Sequence, residues 1–271
     1  VSTVESTTVA LIGAGKMGEA LLMGILRRGH KVLVAESNPE RAAQLGELSG
    51  VDVRSAAAAV ASADVVIIAV KPPHVAELIA DIASSVRPHA AVVSVAAGIS
   101  VAALEQAAGA GIAVIRAMPN TPALVGEGMI AISASPTCTT EQVAAAIDLL
   151  SAVGKVVEVP ESQQDAVTAL SGSGPAYVFL VAEAMIDSAI ELGLHPALAR
   201  ELAVQTVFGA AAMLRDSGDT APATLRRNVT SPNGTTAAAI AALEEHGLRT
   251  AFTAALAAAS DRSIEMTGEF S

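Results

Sequence analysis

The chain is short of several things, and each shortage excludes something. It has no tryptophan, one tyrosine and four phenylalanines in 271 residues, so aromatic packing is nearly absent and alanine is abundant. A single cysteine, Cys138, excludes an internal disulfide and any multi-cysteine zinc site. The five histidines, His30, His74, His89, His195 and His246, are scattered without an HExxH or a close pair, so no metal is expected. Basic residues are outnumbered, 16 Lys and Arg against 27 Asp and Glu. The formal net charge of -11 opposes binding to nucleic acid or to anionic membranes, and neither is an expected partner. Strictly apolar runs such as "VVIIAV" at 65–70 fall far short of a membrane span, so a soluble chain is expected. "VSTVESTT" at the start has neither a basic region nor an apolar core, which reads as no secretory signal and a cytoplasmic location. Two glycosylation-type sequons, at 228–230 and 233–235, then occur by chance.

The length suits two modest domains. From residue 8 to about 160, short apolar runs alternate with alanine-rich stretches: "TVALIG", "KVLVAE", "VDV", "ADVVIIAV", "AAVVSVA", "GIAVIRAM", "GMIAIS" and "KVVEV". Runs this continuously apolar suit strands covered on both faces, and helices at 16–28, 38–49, 72–85 and 140–152 would fill gaps between them. The pattern predicts a parallel, doubly wound sheet of the Rossmann type over residues 1–160. After Pro160 the strand signal stops, and 161–271 reads as an all-α domain with helices broken at "SGSGP", "GLHP", "DSGDTAP" and "TSPNG". Within it, 176–192 carries only a narrow acidic stripe, Glu183, Asp187 and Glu191, on an otherwise apolar helix. Such a helix exposes more apolar surface than a monomer tolerates, which predicts a two-fold homodimer or a larger assembly of dimers.

"GAGKMG" at 13–18 fits G-x-G-x-x-G between the first strand and the first helix. Gly13 would make the turn, Gly15 would admit a pyrophosphate, Gly18 would let helix and strand close up, and the helix N-terminus would face the phosphates. Glu36 ends the second strand, where a ribose-binding acid belongs. "AVKPP" at 69–73 and "SVAAGIS" at 94–100 follow later strands with residues that suit close backbone approach. A P-loop is excluded, because Gly18 is followed by Glu19 rather than Lys and Ser or Thr. Dinucleotide binding is the expectation.

"GAGKMGEAL", "AVKP", "AAGIS", "RAMPNTPALVGEG", "DAVTALSGSGPAYVF" and "TSPNGTTAAAIAALE" together resemble pyrroline-5-carboxylate reductase, in order and spacing, over nearly the whole chain. The last two stretches are the specific ones. The resemblance implies reduction of 1-pyrroline-5-carboxylate to L-proline by NADPH or NADH, and a helical domain for substrate binding and dimerisation. Cofactor contacts are then expected from Ile12, Gly13, Ala14, Gly15, Lys16, Met17 and Gly18, and from Glu36, Ser37 and Asn38. Further along they are expected from Val70, Lys71, Pro72, Ala97, Gly98, Met118, Pro119, Asn120 and Asn228. Two positions depart from the family: Asn233 stands where many relatives have Gly, and Glu36 where relatives often carry residues suited to a 2′-phosphate. Asn tolerates left-handed backbone, so the first departure is mild. The second bears on the choice between NADPH and NADH, with Ser37, Asn38 and Arg41 nearby to serve a 2′-phosphate if Glu36 turns away.

The substrate offers a carboxylate and a ring imine, so a site needs an anion cradle and a donor to nitrogen. "TSPNGTT" supplies both: Ser231, Asn233, Gly234, Thr235 and Thr236 form the entrance, with N–H groups of Gly234, Thr235 and Thr236 opening toward the anion. Thr236, matching the family threonine that contacts the substrate nitrogen, is the expected catalytic residue. Ser173 is expected to line the pocket, and Glu161 falls at a family position near substrate. A plain helix N-cap would account for "SPNGTT" equally without the resemblance. Rival readings are a related two-domain imine or hydroxyacid reductase and a non-catalytic dinucleotide sensor. Residues 161–195 contain no lysine, which counts against the hydroxyacid enzymes.

Overall fold

The computed structural model describes residues 7–270, so the first six residues of the leader reading lie outside the described residues. By contact the chain forms two compact units: one built from the residues up to Ser173 together with those from Ala258 on, the other from Gly174–Ala257.

In the first unit all eight apolar runs are strands: β1 (Val9–Ile12), β2 (Val32–Ala35), β3 (Val51–Val53), β4 (Val65–Ile68), β5 (Ala91–Ser94), β6 (Ala113–Met118), β7 (Gly128–Ala134) and β8 (Gly154–Glu158). They lie in one sheet in the order β3-β2-β1-β4-β5-β6-β7-β8. The helices between them are α1 (Lys16–Arg27), α2 (Pro39–Gly46), α3 (Ala56–Val60), α4 (Val75–Ile82), α5 (Val101–Ala108) and α6 (Thr140–Leu150). Period-two alternation divides the core. Val9, Leu11, Ile67, Val93 and Ile115 pack with α1 and α6 on one face. Ala10, Ile12, Ile68, Val92 and Val114 pack with α3, α4 and α5 on the other.

The sheet departs from the all-parallel expectation at one place, since β6 and β7 are antiparallel, with Ile115 opposite Ala134 and Met118 opposite Ala131. The cause is chain length. A parallel return needs a crossover of a dozen or more residues, and the segment between Met118 and Gly128, which holds a 3-10 turn at Thr121–Val125, is shorter than that. β8 then returns parallel to β7 through α6.

The compact units are drawn differently from the compositional division at Pro160. Residues 161–173 are held on the sheet: the short α7 (Gln164–Val167) carries Gln164, which is fully buried and donates from Nε2 to Ser133 Oγ at 2.9 Å. The end of the last helix, α12 (Leu248–Glu269), is tied there too, through Ser263 Oγ donating to Asp165 Oδ1 at 2.7 Å.

"SGSGP" is also not the break that its composition suggests. Thr168–Gly172 form a π-helical turn, and α8 (Gly174–Glu191) follows with Pro175 in its first turn, a position where a missing N–H costs nothing. The other three breaks are real and separate α8 from α9 (Pro196–Asp216), α10 (Pro222–Asn228) and α11 (Thr235–Glu245).

In the helical unit α8 packs on α9. Only Ala199 and Ala203 are buried there, while Phe179 and Phe208 are each 66% exposed. The helical stretches Glu161–Glu191 and Pro196–Asp216 are long and apolar enough to cross a membrane by length and composition, although neither is an unbroken apolar run. Glu183 and Asp187 in the first stretch, and Arg200, Glu201, Gln205 and Thr206 in the second, keep each run short while leaving the average apolar.

Candidate active site

The first set of site residues gathers at the carboxyl ends of the parallel strands. Gly13 has φ +90, and a Cβ there would lie 2.9 Å from the Ala69 carbonyl oxygen. Gly18 sits so close to the Gly13 backbone that any Cβ would collide with its carbonyl, which is how helix α1 packs down on the strand end. Gly15, the residue before α1, meets nothing within 4 Å of a built Cβ and leaves open the N-terminus of a helix with no side-chain cap. These three glycines have the geometry that a bound pyrophosphate requires.

The crevice beside them is about 620 Å³ and brings together eight of the expected cofactor residues: Ile12, Gly13, Ala14, Gly15, Glu36, Ser37, Val70 and Lys71. Arg54, His74, Glu77 and Asp81 line it as well and were not anticipated. Arg54 was findable, because it directly follows the third strand and so stands at the carboxyl end of the sheet.

Glu36 is fixed in place. Its Oε2 accepts from the Ala14 N–H at 2.9 Å and its Oε1 from the Asn38 N–H at 2.9 Å. Burial, the largest influence, favours the neutral acid, but these bonds and those from Ser37 outweigh it and hold the carboxyl below its ordinary range.

Other expected cofactor residues do structural work or stand apart from the crevice. Met17 packs against the core under the sheet. Lys16 begins α1 and Pro72 opens a 3-10 turn, while the Asn38 side chain caps α2 by accepting from the Arg41 N–H at 3.0 Å. Gly98, at φ +76, admits a close approach, but the atom that approaches is Met266 Cβ of α12, 3.2 Å from a built Cβ. Ala97 precedes it in the same turn. Pro119 is buried, and a Cβ on Gly172 would touch the Met118 methyl. Asn120 spends its amide on the protein, donating to the Ser171 carbonyl at 3.0 Å and accepting from the Met129 N–H at 2.9 Å. It thereby braces the π turn against β7.

Glu161, expected near substrate, is bound within the first unit. Its Oε1 accepts from the Val101 N–H at the start of α5, at 2.6 Å, and from Arg116 Nη1 at 3.3 Å. Arg116 is 4% exposed and also lies 4.0 Å from Asp165. Sequence reasoning missed this buried cation, although a lone arginine inside the apolar run "GIAVIRAM" was a visible signal. Ser173 closes the π turn, its N–H donating to the Thr168 carbonyl at 2.8 Å.

The second set lies in the helical unit at the start of α11. Asn233 has φ 58, the one non-glycine residue with positive φ among the described residues, and so takes the left-handed backbone that many relatives give to glycine. Gly234 is the N-cap residue, and a Cβ there would collide with Ser231 Oγ. The cap is made by backbone alone, because Gly234 has no side chain and the helix has no side-chain cap bond. The expectation for the Gly234 N–H needs correction: it donates to the Ser231 carbonyl at 3.1 Å and is not free for an anion. The turn that delivers Gly234 to the helix consumes its N–H. The remaining first-turn donors belong to Thr235, which is exposed, and to Thr236 and Ala237, which are half-buried. Asn228 is exposed at the end of α10.

Known proteins match both parts of the chain. A family model described as pyrroline-5-carboxylate reductase dimerisation matches residues 161–266, and one described as NADP oxidoreductase coenzyme F420-dependent matches 8–98. The chain is 45% identical to the pyrroline-5-carboxylate reductase of Corynebacterium melassecola, over 96% of this chain and 98% of that protein. It is 44% identical to that of Pseudomonas aeruginosa, over 97% and 98%. Among solved structures, a pyrroline-5-carboxylate reductase from Coxiella burnetii superposes with TM-score 0.91 at 34% identity, covering 97% of this chain and 99% of the other. A Plasmodium falciparum pyrroline carboxylate reductase with NADP bound superposes with TM-score 0.85 at 27% identity, over 97% and 99%. With both halves matched and near-complete coverage on either side, the chain belongs to the pyrroline-5-carboxylate reductase family.

Proposed function

We propose that the chain reduces 1-pyrroline-5-carboxylate to L-proline, the last step of proline biosynthesis, with NADH or NADPH as hydride donor. The observation that carries this reading is the uncapped start of α11, set up by Asn233 at φ 58 and Gly234 and followed at once by two threonines. A helix entrance with donors facing outward and a hydroxyl beside them suits a small anion that carries a ring nitrogen.

The dihydronicotinamide, when bound, supplies the hydride; the protein supplies position and hydrogen bonds. Gly13, Gly15 and Gly18 hold the dinucleotide backbone, and Met118 stands at the end of β6. The N–H groups of Thr235 and Thr236 hold the substrate carboxylate, with Ser231 and Asn233 shaping the turn. The Thr236 hydroxyl donates to the lone pair of the neutral imine nitrogen. As hydride adds at C5 the nitrogen takes a proton along that hydrogen bond, and the hydroxyl is reprotonated from solvent. Glu161 holds the start of α5 and Arg116 through Oε1.

Two copies of the chain cover each other's helical units. The support is the exposed apolar surface of α8 and α9 and the dimerisation family matched there. A single free cysteine and an acidic surface fit work in the cytoplasm.

Proline-dependent reduction of a nicotinamide at alkaline pH by the purified chain tests the reaction. A non-catalytic dinucleotide sensor would bind cofactor and show no turnover, and a hydroxyacid reductase would turn over hydroxyacids and not proline.

A further inference from the structure

We infer that Glu36 makes this chain select NADH over NADPH, by accepting from the 2′-hydroxyl of the adenosine ribose and repelling a 2′-phosphate. The inference rests on reading the crevice as a dinucleotide site, and it concerns the cofactor rather than the imine.

The position of Glu36 sets the contact. It follows β2, the neighbour of β1, and it is hydrogen-bonded to the glycine turn itself through the Ala14 N–H. A carboxylate has about four acceptor sites, so two bonds to backbone leave room for a ribose hydroxyl. The same two bonds, one on each oxygen, prevent the side chain from turning away to make space for a phosphate.

The two arginines near that strand end are each already paired with a carboxylate, and the side-chain oxygens of Asn38 and Ser55 are used by backbone N–H groups. The Ser37 hydroxyl lies 3.4 Å from Glu36 Oε1, and Asn38 uses its side-chain oxygen to cap α2. Arg41 is 2.7 Å from Glu19, and Arg54 is 2.6 Å from Asp52. The Ser55 hydroxyl accepts from the Ala58 N–H at the start of α3. Lys71 follows β4, which flanks β1 on the side away from β2, so it stands two strands, or about 10 Å, from the end that bears Glu36. Glu77 and Asp81 add further negative charge to the crevice wall. A phosphate placed beside Glu36 would face a fixed carboxylate with no uncommitted cation at that strand end.

Binding can be measured without substrate. With no tryptophan in the chain, calorimetry is the direct readout. The full chain is titrated with NADH, NADPH, ADP-ribose and 2′-phospho-ADP-ribose. The expected result is that NADH binds at least about tenfold more tightly than NADPH, and ADP-ribose more tightly than its 2′-phosphate by a similar ratio. Both ratios should shrink as salt is raised. Glu36→Gln should collapse the ratio chiefly by strengthening NADPH. Because that change also weakens the bond to Ala14, Glu36→Ser, which opens space at the same point, provides a second reading and should improve NADPH binding as well.

Equal affinities in the unaltered chain, or tighter NADPH, would overturn the inference, as would variants that leave the ratio unchanged. Failure of the proposed reaction looks different. A chain that prefers NADH but yields no proline-dependent turnover refutes the imine reductase reading and leaves the preference intact. Turnover with both cofactors bound equally refutes the preference alone.

Discussion

The unit that carries the sheet and the unit that carries α8 to α11 are built from similar residues and stabilised in different ways. In the first, strand residues such as Val9, Leu11, Ile67 and Ile115 are wholly buried, each face of the sheet having its own helices. In the second, Leu192 is 87% exposed and Leu180 63%, and just two alanines reach full burial. Apolar burial contributes about 25 cal/mol per Å² only when the area actually leaves water. The first unit therefore holds its core internally, while the second leaves most of its large apolar side chains exposed. A hydrophobic sequence is not evidence of a hydrophobic core within the same chain.

The sharpest test of that contrast is to put charge on the exposed face. Phe179→Asp combined with Phe208→Asp should abolish assembly, giving a monomer by sedimentation at micromolar concentration, because an unpaired buried carboxylate costs several kcal/mol. If these faces remain in water, the pair of changes should shift stability by no more than about 0.5 kcal/mol, and the idea of mutual cover falls.

The counterpart in the first unit is Ile67→Ala. It should destabilise by about 2–5 kcal/mol, and the loss should not depend on protein concentration, since the side chain is already covered by its own unit. Unfolding curves at two concentrations would separate this behaviour from that of the helical unit.

Next comes the chemistry of the helical unit. Thr236→Ala should lower kcat/KM by about ten- to a hundredfold, the loss of roughly 1.5–3 kcal/mol for a hydrogen bond to a group that carries charge. Thr236→Ser should retain most activity. Thr236 is the second residue of α11 and not its cap, so little change in melting is expected from either variant. A folded, fully active Thr236→Ala enzyme would end the role assigned to this residue.

The smallest effect belongs to Glu36. Its carboxyl pKa is lowered in the folded chain, so its ionised form contributes stability at neutral pH. That contribution is complete above the unfolded value, near 4.3 for an ordinary glutamate, and is lost as pH falls through the depressed folded value. The melting difference between the unaltered chain and Glu36→Gln should thus persist at pH 6 and shrink in acid below that range. A difference that stayed constant into strong acid would mean that charge at Glu36 is irrelevant to stability.

Much of this was legible from residue order. The inner strands were readable because a strand buried on both faces must be apolar throughout, as β1, β2 and β4 are. The edge strands β3 and β8 are partly exposed and carry Asp52, Lys155 and Glu158. The G-x-G-x-x-G turn was readable because its glycines answer to local constraints, a positive φ at Gly13 and a helix packed on a strand at Gly18. Asn233 was accepted in a glycine position for the same kind of reason, and its φ of 58 agrees.

What residue order left open depended on atoms distant in the chain. The antiparallel β7 followed from the space available to a short connection. "SGSGP" became a π turn because Asn120, far earlier in the chain, braces the Ser171 carbonyl. Glu161 gained Val101 and Arg116 as partners from 60 and 45 residues away, and the Gly234 N–H looked free until the turn folded it onto Ser231. Sequence by itself determined which segments are strands, which turn needs its glycines and which family the motifs spell, since each depends on neighbours within a few residues or on a pattern preserved along the chain. Tertiary structure alone decided which polar groups remain free to act, because a hydrogen bond is a short-range contact and its partner is fixed only when distant segments meet.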